Sequence, residues 1–329
     1  MISIVDVAKR AGVAVSTVSK VINNYPYVSE ETKRRVREAI HELNYIPNTI
    51  AAALSSKQTG RVAILVDLNS RTQAIDEITM QYLSGALNTA LELNIEIITI
   101  FISMIKHMTP EEITRYLQSQ GISGIIICGM NKEDKYLHQL IESKTFKCVL
   151  VDAPIVNECT SNVSIDNVKA QYEVAKKTIL ENTCKRVLYI AGRRNEYVTD
   201  QRIEGIMKLK DELGLTVLVR NGDFSELKAR EIAFKYAKNK DVVVCASDLM
   251  AIGAMKTLTE MDIFRPVCGF DGITLMGYVG KQMNTVRQDF YNIASVAVRE
   301  LKRLFDGENG REVNTKFEIV KLYYKDIIC

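Results

Sequence analysis

Ser16, Thr17, Ser19, Lys20 and Asn23 fall on one side of a short helical period, because at about 100° per residue Val15, Val18, Val21 and Ile22 gather on the other. Small hydroxyls, an amide and one cation, with no bulky side chain among them, can exchange hydrogen bonds with base edges in a DNA major groove. The chemistry open to such a set is recognition, not catalysis. No glycine-rich phosphate loop, GxSxG elbow or HExxH pair occurs anywhere in the chain. Histidine stands only at 41, 107 and 138, and the seven cysteines (128, 148, 159, 184, 245, 268, 329) are never spaced CxxC. An odd, scattered set reads as reduced thiols, so neither a disulfide framework, a metal nor a cofactor is expected. A second polar set stands just past a series of apolar runs: Asn69, Ser70 and Arg71; Asp152; Arg193, Arg194 and Asn195; Ser247 and Asp248; and Asp271. Those residues could line a polar ligand cleft.

Three helices must position the first set. Ser3-Ile4-Val5-Asp6 is a capping-box-like start, Gly12 is placed to end the first helix, and a second begins within a few residues. A third starts at Ser29, with Val36, Ala39, Ile40 and Leu43 as its apolar stripe. Periodicity leaves two readings open, a helix-turn-helix or a generic three-helix unit whose polar faces are merely solvated. Charge bears on the choice. Residues 1–60 carry eight Lys/Arg and five Asp/Glu, an excess equal to the whole chain's net charge of +3. A small basic unit on a neutral body suits a polyanionic partner, although a cluster such as Lys33-Arg34-Arg35 can equally be a solvated helix face.

The second set belongs to a different architecture. Strands are expected at 62–68, 95–102, 124–128, 148–151, 187–191, 217–219, 242–246 and 267–270, with helices such as 76–93, 111–120, 168–180, 227–237 and 248–259 between them. Fully apolar strands alternating with helices predict parallel α/β sheets, which take ligands at the C-terminal ends of their strands. With 329 residues, 47% hydrophobic and 25% charged, the composition is that of a globular protein. No apolar run approaches the ~20 residues of a membrane span, and the N-terminus lacks a secretory h-region. No leucine heptads follow the core, so no coiled-coil tail is expected. Residues 47–59, Ala-rich and short, are marginal as an isolated helix and could be a plain tether.

The stretches IVDVAKRAGVAVSTVSKVINN, VSEETKRRVREAIHELNYIPN and AAALSSKQTG resemble the start of the LacI/GalR family of bacterial transcription regulators. The resemblance implies that residues 15–23 are the recognition helix. Val15, Ser16 and Lys20 then read bases, Thr17 and Ser19 contact phosphates, and Ser3 and Asn23 complete the DNA-facing set. Residues 47–59 become a hinge helix that folds on DNA, with Leu54 as an apolar wedge in the minor groove beside Asn48 and Ala51. Ala14 departs from the family's usual capping Ser, and Lys20 from its usual Arg, whose planar fork to guanine a lysine cannot copy. GRVAILVD, SGIIICG, VSIDN, KRVLYIAG, DQRIEG, VVVCASDLMAIGAM, VCGFDG and NTVRQD resemble the family's periplasmic-binding-protein-like core of two doubly wound parallel-sheet lobes.

By the same resemblance Arg202 and Asp271 reach sugar-like hydroxyls, with Asp152 beside them, and Ser247 stands where an Asn is usual. Arg202 could instead pair with Asp200 or Glu204 at the surface, and Asp248 could simply start its helix. Asn69, Arg71 and Arg193 are further effector candidates, the arginines suiting a sugar phosphate. Tyr197 could supply the stacking face that a chain without Trp lacks. The expected organisation is a helix-turn-helix domain (1–46), a hinge (47–59) and an effector-binding and dimerisation core (60–329). The expected protein is a cytoplasmic, homodimeric, non-enzymatic repressor of carbohydrate-metabolism genes. It would bind a palindromic operator under control of a sugar or sugar phosphate, away from membranes. The alternatives are a soluble sugar-binding or sugar-acting α/β protein, and a regulator governed by a protein corepressor.

Overall fold

The computed structural model describes residues 2–22, 25, 27–45, 61–67, 77–279 and 282–323. The chain divides into two compact units, 1–59 and 60–329. In the first, helices α1 (Ile4–Ala11), α2 (Val15–Ile22) and α3 (Glu30–Glu42) enclose Val7, Ala8, Ala11, Val18, Val21, Val36 and Ala39. The Asp6 carboxylate accepts both the Ser3 amide (2.9 Å) and the Ser3 hydroxyl (2.7 Å), tying down the start of α1. Gly12 ends α1 in the left-handed region at φ 64°, which a side chain would resist, and this lets α2 start after a short turn.

Arg35, one of the basic cluster in α3, has a structural task. Its guanidinium donates to the carbonyls of Ala11 and of Gly12 (3.2 Å), the orphan acceptors at the end of α1. Arg35→Ala is therefore expected to lower the stability of the 1–59 unit by about 1–3 kcal/mol, read as an earlier urea transition by circular dichroism. An unchanged transition would return Arg35 to the solvated face.

The second unit is two lobes. The first lobe contains β1 (Arg61–Val66), α4 (Glu77–Glu92), β2 (Ile97–Phe101), α5 (Ile102–Ile105), α6 (Pro110–Ser119), β3 (Ile122–Cys128), α7 (Lys135–Glu142), β4 (Lys147–Val151) and β5 (Thr160–Ile165). The second contains α8 (Asn167–Glu181), β6 (Arg186–Ala191), α9 (Tyr197–Leu213), β7 (Thr216–Asn221), α10 (Glu226–Tyr236), β8 (Val242–Cys245), α11 (Asp248–Glu260), β9 (Val267–Cys268) and β10 (Asn284–Gln288). The chain then returns to the first lobe for α12 (Phe290–Phe305) and β11 (Glu312–Thr315), and ends in the second with β12 (Phe317–Lys321). The sheets run β11-β5-β4-β3-β1-β2 and β12-β10-β9-β8-β6-β7. The first is parallel throughout, because helices cover both faces: Val62, Ile64 and Val66 of β1 face one cluster, and Ala63 and Leu65 the other. The second departs from the all-parallel expectation at its edge, where β12 pairs antiparallel with β10.

Three crossings join the lobes. Two follow one design: a strand ends in an aspartate that caps the next helix, in the other lobe. Asp166 after β5 accepts the Lys169 amide (2.8 Å), and Asp289 after β10 accepts the Asn292 amide (2.9 Å). The third is the step from β11 to β12 through Lys316. At Gly85 α4 meets the start of α12 so closely that a Cβ would lie 2.1 Å from the Tyr291 carbonyl oxygen. Strands β5, β10 and β11 escape an apolar-run reading because they are polar. In β5 all six residues are nevertheless buried: the Ser161 hydroxyl accepts the Arg311 amide (3.1 Å), and Asn162 donates to the Ser164 hydroxyl (3.3 Å). Among the described residues no helix is long and apolar enough to cross a membrane.

Candidate functional site

On the first unit the candidate surface is the outer face of α2. Ser16 and Lys20 are exposed there, and Thr17 and Ser19 partly so, while Val18 and Val21 anchor the helix in the core. Val15 corrects the amphipathic reading. At the first position of α2 it is 40% exposed and outside the core, so its isopropyl group is available at the surface. Ala14 accepts the first backbone bonds of α2, from Thr17 (2.9 Å) and Val18 (3.2 Å), but brings no side-chain cap. Lys33 and Arg34 are not free cations: Lys33 pairs with Glu30 (2.6 Å) and Arg34 with Glu38 (2.9 Å) on the surface of α3. Asn23, Asn48, Ala51 and Leu54 lie outside the described residues, as do Asn69 and Arg71.

On the second unit the candidate site is the cleft between the lobes. Arg202, from α9, is 4% exposed. Its Nε donates to Asn167 Oδ1 (3.0 Å), Nη1 donates to the Ala246 carbonyl (2.6 Å) and lies 3.7 Å from Asp271 Oδ1, and its plane stacks 3.6 Å above the Phe270 ring. Neither surface partner open to it in the sequence is used: Asp200 pairs with Lys132 (2.5 Å) and Glu204 with Lys208 (2.7 Å). Asp271 holds φ at 124° and Asp152 at 61°, both in the region side chains disfavour. Such strain persists where surrounding structure enforces it, often at ligand clamps. Asn167 Nδ2 donates to Asp152 Oδ1 (3.3 Å) and Gln288 Nε2 to Asp271 Oδ1 (3.4 Å).

Burial dominates the electrostatics. It pushes the Asp271 carboxyl up to about 8 against the pull of Arg202, and raises Asp152 and Glu196 for the same reason. Asp248 rises to about 6, although the Thr285 hydroxyl (2.6 Å) and the amides of Gly272 (2.7 Å) and Ile273 (2.9 Å) oppose the rise. Asp248 is thus the brace that holds the turn carrying Asp271.

Three expected effector contacts come out differently. Ser247 caps α11, its hydroxyl accepting the Met250 amide (3.3 Å), and is 4% exposed. Arg193 stands between Glu196 (3.0 Å) and Asp67 (3.9 Å), its charge already matched. Tyr197 is no open stacking platform: it packs on the first lobe's core, with Lys132 Nζ 5.2 Å from its ring centre. Around it the lobes are in contact, since the Lys132 amide donates to the Asn195 carbonyl (2.8 Å) and Asn195 Nδ2 to Glu133 Oε1 (2.5 Å). The sequence reading missed Asn167, Glu196 and Gln288. Asn167 opens α8 just past β5 and Gln288 ends β10, the polar strands no apolar run announces, though the two lie inside the VSIDN and NTVRQD stretches.

Residues 3–48 match the family described as "Bacterial regulatory proteins, lacI family", and residues 78–271 match "Periplasmic binding proteins and sugar binding domain of LacI family". The chain belongs to the LacI family. This LacI-family chain is 29% identical to the HTH-type transcriptional regulator RegA of Clostridium saccharobutylicum, over 96% of each protein. It is also 29% identical to the ribose operon repressor of Halalkalibacterium halodurans, over 92% of this chain and 89% of that one. Its fold is that of the crystal structure of the Lac repressor dimer bound to operator and the anti-inducer ONPF: TM-score 0.80, 20% identity, 97% and 98% of the two chains covered. As a LacI-family member the protein is a DNA-binding transcription regulator and not an enzyme.

Proposed function

We propose that this regulator is a homodimeric repressor of carbohydrate-metabolism genes in the cytoplasm. It reads a palindromic operator with the face of α2 made by Val15, Ser16, Thr17, Ser19 and Lys20, and a small polyhydroxylated effector in the interlobe cleft controls it. Asn23 extends the reading face, Asn48, Ala51 and Leu54 engage the minor groove, and Asn69 and Arg71 belong to the effector's surroundings. One observation carries the effector reading: Arg202, Asp271 and Asp152, from both lobes, converge beside two of the three crossings. A molecule bound there contacts both lobes and so biases the angle between them. Such coupling is worth about 1–3 kcal/mol, or roughly 5–150-fold in operator affinity. The homodimer is supported by Met80, Leu87 and Leu91, an exposed apolar stripe along α4 whose spacing puts the three side chains on one side of that helix. The kinship with a ribose operon repressor and the Lac repressor points to sugar-like effectors.

The test is selection of an operator from random DNA with the full chain, followed by titration with sugars. Operator binding that no sugar moves would remove the effector reading and leave the DNA reading intact.

A second expectation concerns salt. Because Lys33 and Arg34 are matched by glutamates, Lys20 should carry a large share of the contact with DNA. Lys20→Ala is expected to cost about 1–3 kcal/mol on the operator if the ammonium reads a base. If it only neutralises a phosphate, the slope of log affinity against log salt should fall by about 0.9 and the loss should be equal on random DNA. No change in either quantity would take Lys20 out of the interface.

A further inference from the structure

The first turn of α2 carries an apolar group that the fold leaves at the surface. Val18 and Val21 of the same helix are 0% and 4% exposed, and Val13 just before it packs on the core, but Val15 is 40% exposed and stands outside that core. Its neighbours leave it open. Ala14 and Ser16 are exposed and small, and Ser19, one turn further on the same side of the helix, ends in a short hydroxyl. Lys20 lies one turn beyond Ser16 instead, so the cation and the isopropyl group occupy separate rows of the face.

An isopropyl group neither donates nor accepts a hydrogen bond. In the major groove the edges of adenine, guanine and cytosine present donors and acceptors, and thymine alone adds an apolar group, its C5 methyl. Val15 laid against one of the polar edges would strip water from it and return no bond, which is a loss for any buried donor or acceptor. Laid against thymine it would remove two apolar surfaces from water together. The residues at the start of a recognition helix are the ones that reach base edges, and Val15 opens α2.

We propose that Val15 is a thymine reader: each half-site of the operator carries a T·A pair whose C5 methyl packs on the Val15 isopropyl group. The inference rests on the outer face of α2 being the surface that reads the operator, and it names a base which that face selects. It also separates the roles within the face. Ser16 and Lys20 supply hydrogen bonds, whereas Val15 supplies a contact that carries no charge, so its share of the affinity is insensitive to salt.

The test uses the full chain and an operator selected from random DNA, in which the thymines of the half-sites are replaced, one symmetric pair at a time, by deoxyuridine. That change deletes the C5 methyl and keeps every donor and acceptor of the base pair. At one position the parent chain is expected to lose affinity, about four-fold for a single half-site and about fifteen-fold for both, the value of burying one methyl group at each. The ratio between thymine and uracil operators should hold from low to high salt while both affinities fall. Val15→Ser keeps a small side chain at an exposed site and removes the apolar contact. It should bind the thymine and uracil operators equally, with its circular dichroism showing that it folds. A half-site without thymine, a parent chain indifferent to uracil at every position, or a loss that Val15→Ser keeps undiminished would each remove the thymine assignment and leave α2 as the reading face. If Val15→Ser and Lys20→Ala both bind the selected operator as the parent does, the reading face falls as well.

Discussion

Arg202→Ala is expected to abolish the effector response and to leave operator binding in place. The guanidinium is buried, gives hydrogen bonds to Asn167 and Ala246, and is the cation nearest Asp271. Its removal leaves Asn167 Oδ1 and the Ala246 carbonyl without their donor and the buried Asp271 carboxyl without its neighbouring cation. Breaking such an arrangement from one side costs about 3–5 kcal/mol. The loss falls on the 60–329 unit, whereas α2 belongs to the 1–59 unit with its own core. Operator affinity would be measured with and without an effector identified on the parent chain, alongside urea unfolding of the variant. Arg202→Lys should recover part of the stability and little of the response, because one ammonium cannot reproduce the planar fork or the stacking on Phe270. A normal response in Arg202→Ala would place the effector elsewhere. Loss of DNA binding together with the response would make Arg202 a general support of the molecule.

Asp248→Ala should be as damaging to stability without touching the ligand. The buried carboxylate accepts the amides of Gly272 and Ile273, both part-buried, and the buried Thr285 hydroxyl, so alanine strands three donors, again at about 3–5 kcal/mol. It would also release the turn that holds Asp271 at φ 124°, so effector affinity should fall in whatever fraction stays folded. Asp248→Asn keeps the shape: its oxygen can serve both amides, and its NH2 can donate to the Thr285 oxygen. That variant should lose much less stability and separate shape from charge.

The pH dependence has a definite sign. Asp248 and Asp271 rise on folding from an ordinary 3.8 to about 6 and about 8. Folding therefore takes up protons. The stability they confer is fully present below about pH 4 and is lost as pH rises through about 6 and then about 8. Urea midpoints between pH 5 and 9 should fall with rising pH in the parent chain. In Asp248→Asn the lower step should disappear. A flat profile in the parent would show that both carboxyls ionise in the fold without cost.

The two-lobed α/β core was legible because β1, β3, β4 and β8 are runs of Val, Ile and Leu, and strands buried on both faces can hardly be built otherwise. The three N-terminal helices were legible because Gly12 and the caps Ser3 and Ser29 punctuate a 3.6-residue period. The crossings were not. Strands β5 and β10 were not among the expected strands, since what buries Ser161, Asn162 and Asn284 is a set of distant partners: Arg311 for the first two and Thr178 for the third. Period and resemblance disagreed over Val15, and its place at the first position of α2, short of the core, settled its exposure.

By itself the sequence determined the residue types: a small polar face on one short helix, a basic excess in the first 60 residues, and acids and arginines just past apolar strands. Periodicity and composition are local properties, and burial of an apolar stripe follows from them with little freedom. Only the tertiary structure decided which charges are spent and which are left. Arg35 closes the end of α1, Lys33 and Arg34 answer glutamates, Arg193 is matched at the cleft mouth, and Asp248 braces a turn. What remains beneath the mouth is Arg202 among three carboxylates, with a glutamine oxygen awaiting a donor. A charged side chain has several candidate partners within reach of its flexible stem. The choice among them is made by which elements pack together and how much water they exclude, and neither quantity is written in the spacing of the residues.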